Sequence, residues 1–262
     1  MSFTDRIICL TEESVETLYL LGKESSIVGV SEYVERPEEA KLLPKVTQFV
    51  RSDIEEIMKL RPTLVIGFSD IQKDIARELI GRGLNVFVTN QRTLSEILSY
   101  IEMLGRLVGE ESLACAVTSD FRERLQDMKR KGSELPRRPK VYFEEWDHPR
   151  LSGITWVSEL IEICGGENIF SDRSGSLARD REVTDELIIA RAPDVIFGCW
   201  CGKPVKIEKI SGRNSYESIP AVQNKFIWEL PPEIFLQPGP ALFLDGLDQM
   251  FAYIQKAALD DR

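Results

Sequence analysis

Histidine is all but missing from this chain: His148 is the only one in 262 residues. That excludes the multi-histidine ligand sets of zinc enzymes. The five cysteines (Cys9, Cys115, Cys164, Cys199 and Cys201) are odd in number and form no Cys-x-x-Cys pair. Zinc ribbons and dithiol redox motifs are therefore not expected. Four of the five sit in apolar contexts, the pattern of reduced, buried thiols, which points to a cytosolic compartment. No run approaches the ~18 consecutive apolar residues of a membrane span. The opening MSFTDRIICLTEE lacks the basic start and apolar run of a signal peptide. The chain reads as cytoplasmic as it stands, or as extracytoplasmic if a leader has been removed. Basic clusters are sparse too, with 33 Lys and Arg against 43 Asp and Glu and a formal charge of −10. That argues against nucleic acid and against an anionic membrane surface. No Gly-rich phosphate loop and no nucleophile–base pair can be found.

What is present is a helix around which the rest is arranged. In Glu110 to Lys131, apolar residues recur at Leu113, Val117, Phe121, Leu125 and Met128. These spacings of three and four draw a stripe down one helix. Acidic residues lie toward its start and Lys129, Arg130, Lys131 and Gly132 close it, which suits the helix dipole. At about 1.5 Å per residue it reaches about 33 Å.

Both flanks alternate short apolar strands with helices, the pattern of a parallel sheet covered on both faces. Strands are expected at 6–10, 27–30, 64–68 and 85–89, with helices between, including one capped by Ser52 with Glu55 in the capping-box position. After the long helix come a strand at 140–146, a loop at 147–153 and a helix at 156–164. The device Ser52 to Pro62 followed by Leu64 to Gly67 returns as Thr184 to Pro193 followed by Val195 to Gly198. In each, a capped helix stops at proline and a strand runs on to glycine. A strand at 225–230 and a helix at 242–257 finish the chain. This predicts an N-terminal α/β lobe over 1–109, a connecting helix over 110–135 and a C-terminal α/β lobe over 136–262.

In such folds ligands bind outside the carboxyl ends of the strands. Those ends carry Glu12, Glu13, Tyr33, Phe68, Trp146, Asp147, His148, Trp200, Lys203 and Phe235, the candidate ligand-binding residues. Strand alternation sends Glu144 and Glu145 to opposite faces. Glu13 suits a helix N-terminus, where carboxylates are favoured. Asp147 is able to cap its loop. Lys203 is placed either to hold an anionic ligand group or simply to be solvated.

Arg6 to Gly29, Ser52 to Phe68, Glu145-Trp-Asp-His-Pro149, Gly165 to Asn168, Arg191 to Ile196 and Gln237 to Gly246 closely resemble the cobalamin-binding branch of helical-backbone solute-binding proteins. That family serves ABC importers of cobalamin, siderophore iron and related metal complexes. The resemblance covers nearly the whole chain. It implies two Rossmann-like lobes on one rigid helix, with limited hinge motion and a ligand in the groove between them. The expected function is binding rather than catalysis. The expected ligand is a corrinoid or related metal chelate, and Trp146, Trp200 and Tyr33 are placed either to stack on it or to pack the core. His148, in its polar loop, is placed either to ligate a metal, including a cobalt already held in a macrocycle, or simply to be solvated. The sequence names no cofactor, and a corrinoid (cobalamin) enters only as a candidate ligand. The partners that the resemblance implies are the chelate and an ABC permease, and the protein is expected to be a monomer.

Three departures bear on docking. The sequence as given shows no leader, the first turn reads Glu12-Glu13-Ser14-Val15-Glu16 where the family has Pro-Ser-x-Thr-Glu, and of the two glutamates that face a permease the second is missing around Phe235-Leu236-Gln237 while the first is undecided near Lys73-Asp74. Glu233 or Asp74 could substitute. The alternative is a cytosolic metal-binding enzyme or metallochaperone on the same scaffold, using His148, the acidic loops and Cys201.

Overall fold

The computed structural model describes residues 4–173, 175 and 177–260. They divide into two compact units. The first comprises 1–91, 95–120 and 237–241, and the second 92–94, 121–236 and 242–262. Each is a mixed α/β unit with a mainly parallel sheet.

The first unit contains β1 (Ile7–Cys9), α1 (Glu12–Leu20), β2 (Ile27–Ser31), β3 (Lys45–Gln48), β4 (Arg51–Ser52), α2 (Ile54–Lys59), β5 (Leu64–Phe68), α3 (Lys73–Gly81), β6 (Val86–Thr89) and most of α4 (Leu94–Val108). Its sheet runs β4-β3-β2-β1-β5-β6, and only the β3–β4 pair is antiparallel. Strand β1 lies inside the sheet, so all three of its residues are buried and it reads as an unbroken apolar run. One core layer joins Ile8, Leu10 and Val65 to Ile57, Ile75 and Leu79 from the covering helices. The N-cap of α2 is Asp53, whose Oδ1 accepts from Glu56 N at 3.0 Å. This corrects the expected Ser52–Glu55 cap by one residue. Ser52 belongs to β4, and its hydroxyl lies 2.7 Å from that of Thr47 across the hairpin.

The long helix α5 (Glu111–Ser133) forms as expected, its residues through Asp120 counted with the first unit and those from Phe121 with the second. Its stripe differs at the start. Leu113 is exposed, whereas Ala114, Thr118, Phe121 and Met128 are buried. Gly105 of α4 explains the shift, because a Cβ there would lie 2.3 Å from the Ala114 Cβ. Two helices meeting so closely take the small residue and turn the leucine outward.

The second unit contains β7 (Lys140–Asp147), β8 (Arg150–Ser152), α6 (Thr155–Ile163), β9 (Glu167–Asn168), α7 (Asp185–Arg191), β10 (Val195–Gly198), α8 (Ile207–Ser211), α9 (Pro220–Gln223), β11 (Ile227–Glu229), α10 (Pro232–Phe235) and α11 (Leu247–Ala258). The sheet order is β11-β10-β7-β8, with β9 beside β7, and only β8 is antiparallel. The segment expected as a loop over 147–153 is therefore a hairpin that lengthens the sheet. A π-turn, Leu242–Gly246, precedes α11. Arg124 donates to the carbonyls of Phe243 and Leu244 at 2.9 and 3.1 Å, satisfying acceptors at that irregular turn.

The repeated device is visible in the backbone. Thr184 caps α7 through Leu187 N, as Asp53 caps α2. The residues before the two prolines, Arg61 and Ala192, have φ of 48° and 47°. A residue before proline is disfavoured in the right-handed helical region. Both helices therefore stop at the same step, and a buried parallel strand follows each.

Candidate functional site

In the first unit, α1 begins immediately after β1, so Glu12 and Glu13 stand in its first turn and Glu16 one turn on. All three are buried, Glu12 at 6%, Glu13 at 1% and Glu16 at 8% exposure. Their partners explain how this is tolerated. Glu16 Oε1 accepts from Arg36 Nε at 2.6 Å and its Oε2 from Ala241 N at 3.2 Å. Burial raises Glu12 above the usual carboxylate range, although hydrogen bonds from its own backbone N–H and from the side chains of Ser31 and Gln237 oppose this. Glu13 accepts from the Thr11 hydroxyl through Oε1, while its Oε2 is buried without a partner. Burial, reinforced by the neighbouring glutamates, pushes Glu13 up to about 8, so this carboxyl is protonated at neutral pH.

The segment 237–241 completes this turn. Gly239 lies so close that a Cβ on it would come within 2.6 Å of the Glu13 Cβ, and Gln91 donates to the Pro238 carbonyl at 3.3 Å. The sequence suggested carboxylates turned toward a ligand. The structure instead holds Glu13 shut beneath a Pro-Gly-Pro segment and leaves Glu12 barely accessible. Tyr33, just past β2, is 53% exposed, with its backbone N–H on the Ser31 hydroxyl at 3.1 Å. Phe68 at the end of β5 is buried, and its N–H donates to Gln72 Oε1 at 2.9 Å. Gln72 also donates to the carbonyls of Leu10 and Phe49 at 3.4 and 3.0 Å. It thus ties together three chain segments, with no periodicity or motif in the sequence to announce it.

In the second unit the carboxyl ends of β7 and β10 lie side by side, Gly198 pairing with Glu144. Glu144 is fully buried, yet it accepts from Trp200 Nε1 at 3.1 Å, from the Tyr142 hydroxyl at 3.2 Å and from Arg213 in a bidentate pair, 2.8 Å for one arm. The network continues from Arg213 to the Tyr216 hydroxyl at 3.4 Å, and from that hydroxyl to Asp185 at 2.7 Å. Burial lowers Arg213, but the Glu144 hydrogen bonds and charge outweigh it and hold the guanidinium above its ordinary range. Burial and the Glu144 charge both raise the Tyr142 hydroxyl well above its own.

Glu145, on the other face of the strand, meets Arg181 in a second bidentate pair, 2.8 Å for one arm, and accepts from Ile154 N at 3.1 Å. Arg181 also donates to the Ser152 carbonyl at 2.6 Å, locking the hairpin to the start of α6. Alternation did separate the two glutamates. Neither offers a free carboxylate, because each has an arginine 36 or 69 residues away in sequence. A partner that distant leaves no local signal.

Trp200 was expected to present an open face and does not. It is 2% exposed, packed in the core with Tyr142 and Tyr216, and its indole N–H is taken by Glu144. Phe235 is likewise buried, its carbonyl accepting from Trp156 Nε1 at 2.9 Å. Trp146 is half-buried, and its Nε1 donates to the His148 carbonyl at 2.9 Å. Lys203 places its ammonium 3.9 Å from the Trp146 ring centre and 5.1 Å from that of Trp200. It also pairs with Asp147, which therefore does more than cap its own loop. Burial tends to raise Asp147, but the Lys203 hydrogen bond and charge bring it below its ordinary value. His148 stands exposed in the turn between β7 and β8. Among the described residues, no group of three or more His, Cys, Asp or Glu side chains is arranged to hold a metal.

The sequence profile of the periplasmic binding proteins matches residues 7–234. This chain belongs to that family. The vitamin B12-binding protein of Vibrio cholerae serotype O1 is 30% identical over 256 residues, covering 97% of this chain and 90% of that protein. The crystal structure of the periplasmic vitamin B12-binding protein of Vibrio cholerae shares 26% identity and a TM-score of 0.78, with 98% of each chain covered. The periplasmic heme-binding protein of Roseiflexus, at 21% identity and a TM-score of 0.84 over 97% of this chain and 99% of that one, shares the fold. These relatives are binding proteins by family and by name, and nothing in them supports the enzyme reading. The family resemblance read from the sequence motifs therefore holds over residues 7–234. Among the described residues, no helix is long and apolar enough to cross a membrane.

Proposed function

We propose that this protein binds a corrinoid or a related flat metal chelate as the solute-binding component of an ABC-type import system, with the permease as its partner. The observation that carries the reading is Trp146. This half-buried indole stands at the carboxyl end of β7, oriented by its bond to the His148 carbonyl, beside a lysine that supplies charge. An aromatic face fixed in this way offers a large, low-entropy stacking surface to a planar ligand. Tyr33 is the corresponding exposed aromatic of the first unit. The vitamin B12-binding relatives support the corrin class of ligand.

The compartment follows from the same reading. The vitamin B12-binding and heme-binding proteins of known structure that this chain resembles are periplasmic, and an importer's binding component receives its solute outside the cytoplasmic membrane. The five free cysteines favour a second reading, a cytosolic relative that keeps the binding function. Cell fractionation separates the two.

Titration with cyanocobalamin, followed by tryptophan fluorescence with inner-filter controls and by calorimetry, tests the function. Saturable binding at a Kd of about 1 μM or tighter is expected, which corresponds to about −8 kcal/mol. Trp146→Ala should weaken it at least about tenfold, the effect of losing one well-packed aromatic contact. A protein that ignores cyanocobalamin, or a variant that binds as tightly as the parent, overturns the assignment.

A further inference from the structure

Lys203 covers the face that a planar ligand would use. Its ammonium lies 3.9 Å from the centre of the Trp146 ring, with Asp147 as its ion-pair partner. The pair is partly in water, the lysine side chain 36% and the aspartate 21% exposed. Such pairs contribute little to stability, and the lysine stem is long and flexible, so the ammonium exchanges partners readily. Arg213, the other cation beside the carboxylate that holds Trp200, is 9% exposed and committed to Glu144 through both arms. It has no such freedom.

Two kinds of planar ligand fare differently here. A neutral one must push the ammonium off the indole and offer nothing in exchange. One with an anionic oxygen group on its rim draws the ammonium away from Asp147 into a charge-assisted hydrogen bond. The same movement bares the ring for stacking. We propose that Lys203 is a specificity residue that admits planar ligands carrying a phosphate or carboxylate group and disfavours neutral ones, with Asp147 as the internal anion that such a group displaces. This rests on the reading that Trp146 takes a flat chelate.

Three corrinoids separate the cases: cyanocobalamin with its phosphodiester, cobyric acid with a carboxylate in place of the nucleotide loop, and cobinamide with neither. Calorimetry on the parent protein should show at least one anionic corrinoid binding about tenfold tighter than cobinamide, the weight of one charge-assisted hydrogen bond. Which of the two keeps the advantage identifies the anion. Lys203→Met should bring the corrinoids to within about twofold of each other, and Asp147→Asn should widen the parent's preference by removing the competing carboxylate. A preference that survives in Lys203→Met overturns the proposal, as does equal binding of all three corrinoids by the parent. Either result leaves the corrinoid reading standing. Failure of the parent to bind any of them overturns that reading and this inference together.

Discussion

Trp200 Nε1 lies 3.1 Å from Glu144 Oε1, so an indole at the end of one strand is held by a fully buried carboxylate on the next. The same carboxylate is neutralised by Arg213. Removing the carboxylate strands a buried guanidinium. Glu144→Leu should therefore cost about 3–5 kcal/mol in urea unfolding. The double variant Glu144→Leu/Arg213→Leu should recover part of that loss. It should not recover all of it, because the Trp200 N–H and the Tyr142 hydroxyl remain without their acceptor.

Stability should also fall as pH rises through the neutral range. Glu13 keeps its proton in the folded protein up to about 8, whereas its ordinary value is 4.5. Between those values the folded state binds more protons than the unfolded chain, so stability is greatest at the acid end and declines toward pH 8, then levels off. Other carboxylates titrate as well, and comparison with Glu13→Gln isolates this one. The variant should lose that part of the slope in denaturant midpoints measured from pH 5 to 9. An unchanged difference between parent and variant across that range would show that Glu13 ionises normally.

The α2 cap separates two neighbouring residues. Asp53→Ala should cost about 1 kcal/mol, the usual value of a cap that accepts from the helix's first turn. Ser52→Ala should cost less, since it removes one hydroxyl contact across a hairpin. Thermal unfolding of the two variants side by side decides the order.

Thiol labelling should divide the cysteines two and three. Cys115 and Cys201 are exposed, while Cys9, Cys164 and Cys199 are buried. Burial raises Cys9 to about 12 and lifts Cys164 and Cys199 as well, so none of these three presents a thiolate near neutrality. Native protein should react with an aryl disulfide reagent at two sites and unfolded protein at all five.

The architecture was largely legible in the sequence because it is written in local patterns. Leu64 to Phe68 is an unbroken apolar run that becomes a strand with those limits, and Thr184 caps its helix where the pattern placed it. Errors arose where two neighbours offer the same chemistry, as Ser52 and Asp53 both suit a cap, or where packing selects a small residue, as Ala114 does over Leu113. The site was less legible. That Trp146 and Lys203 lie near one another follows from strand ends. That Trp200 is buried follows from Arg213 reaching Glu144, and nothing within a helical turn of either residue encodes that meeting. Glu12 and Glu13 stood among the candidate ligand-binding residues for the same reason, because residues that cover them come from 237–241.

That late segment bears on how the chain reaches its folded state. The turn with the three buried glutamates is made long before the Pro-Gly-Pro stretch that seals it, Glu16 and Ala241 being 225 residues apart. Domains emerging from the ribosome usually fold in order, amino-terminal first. Here the first unit would remain unfinished until residues 237–241 have been made, its carboxylates still in contact with water. A recombinant fragment ending within α5 would inherit the same open seam.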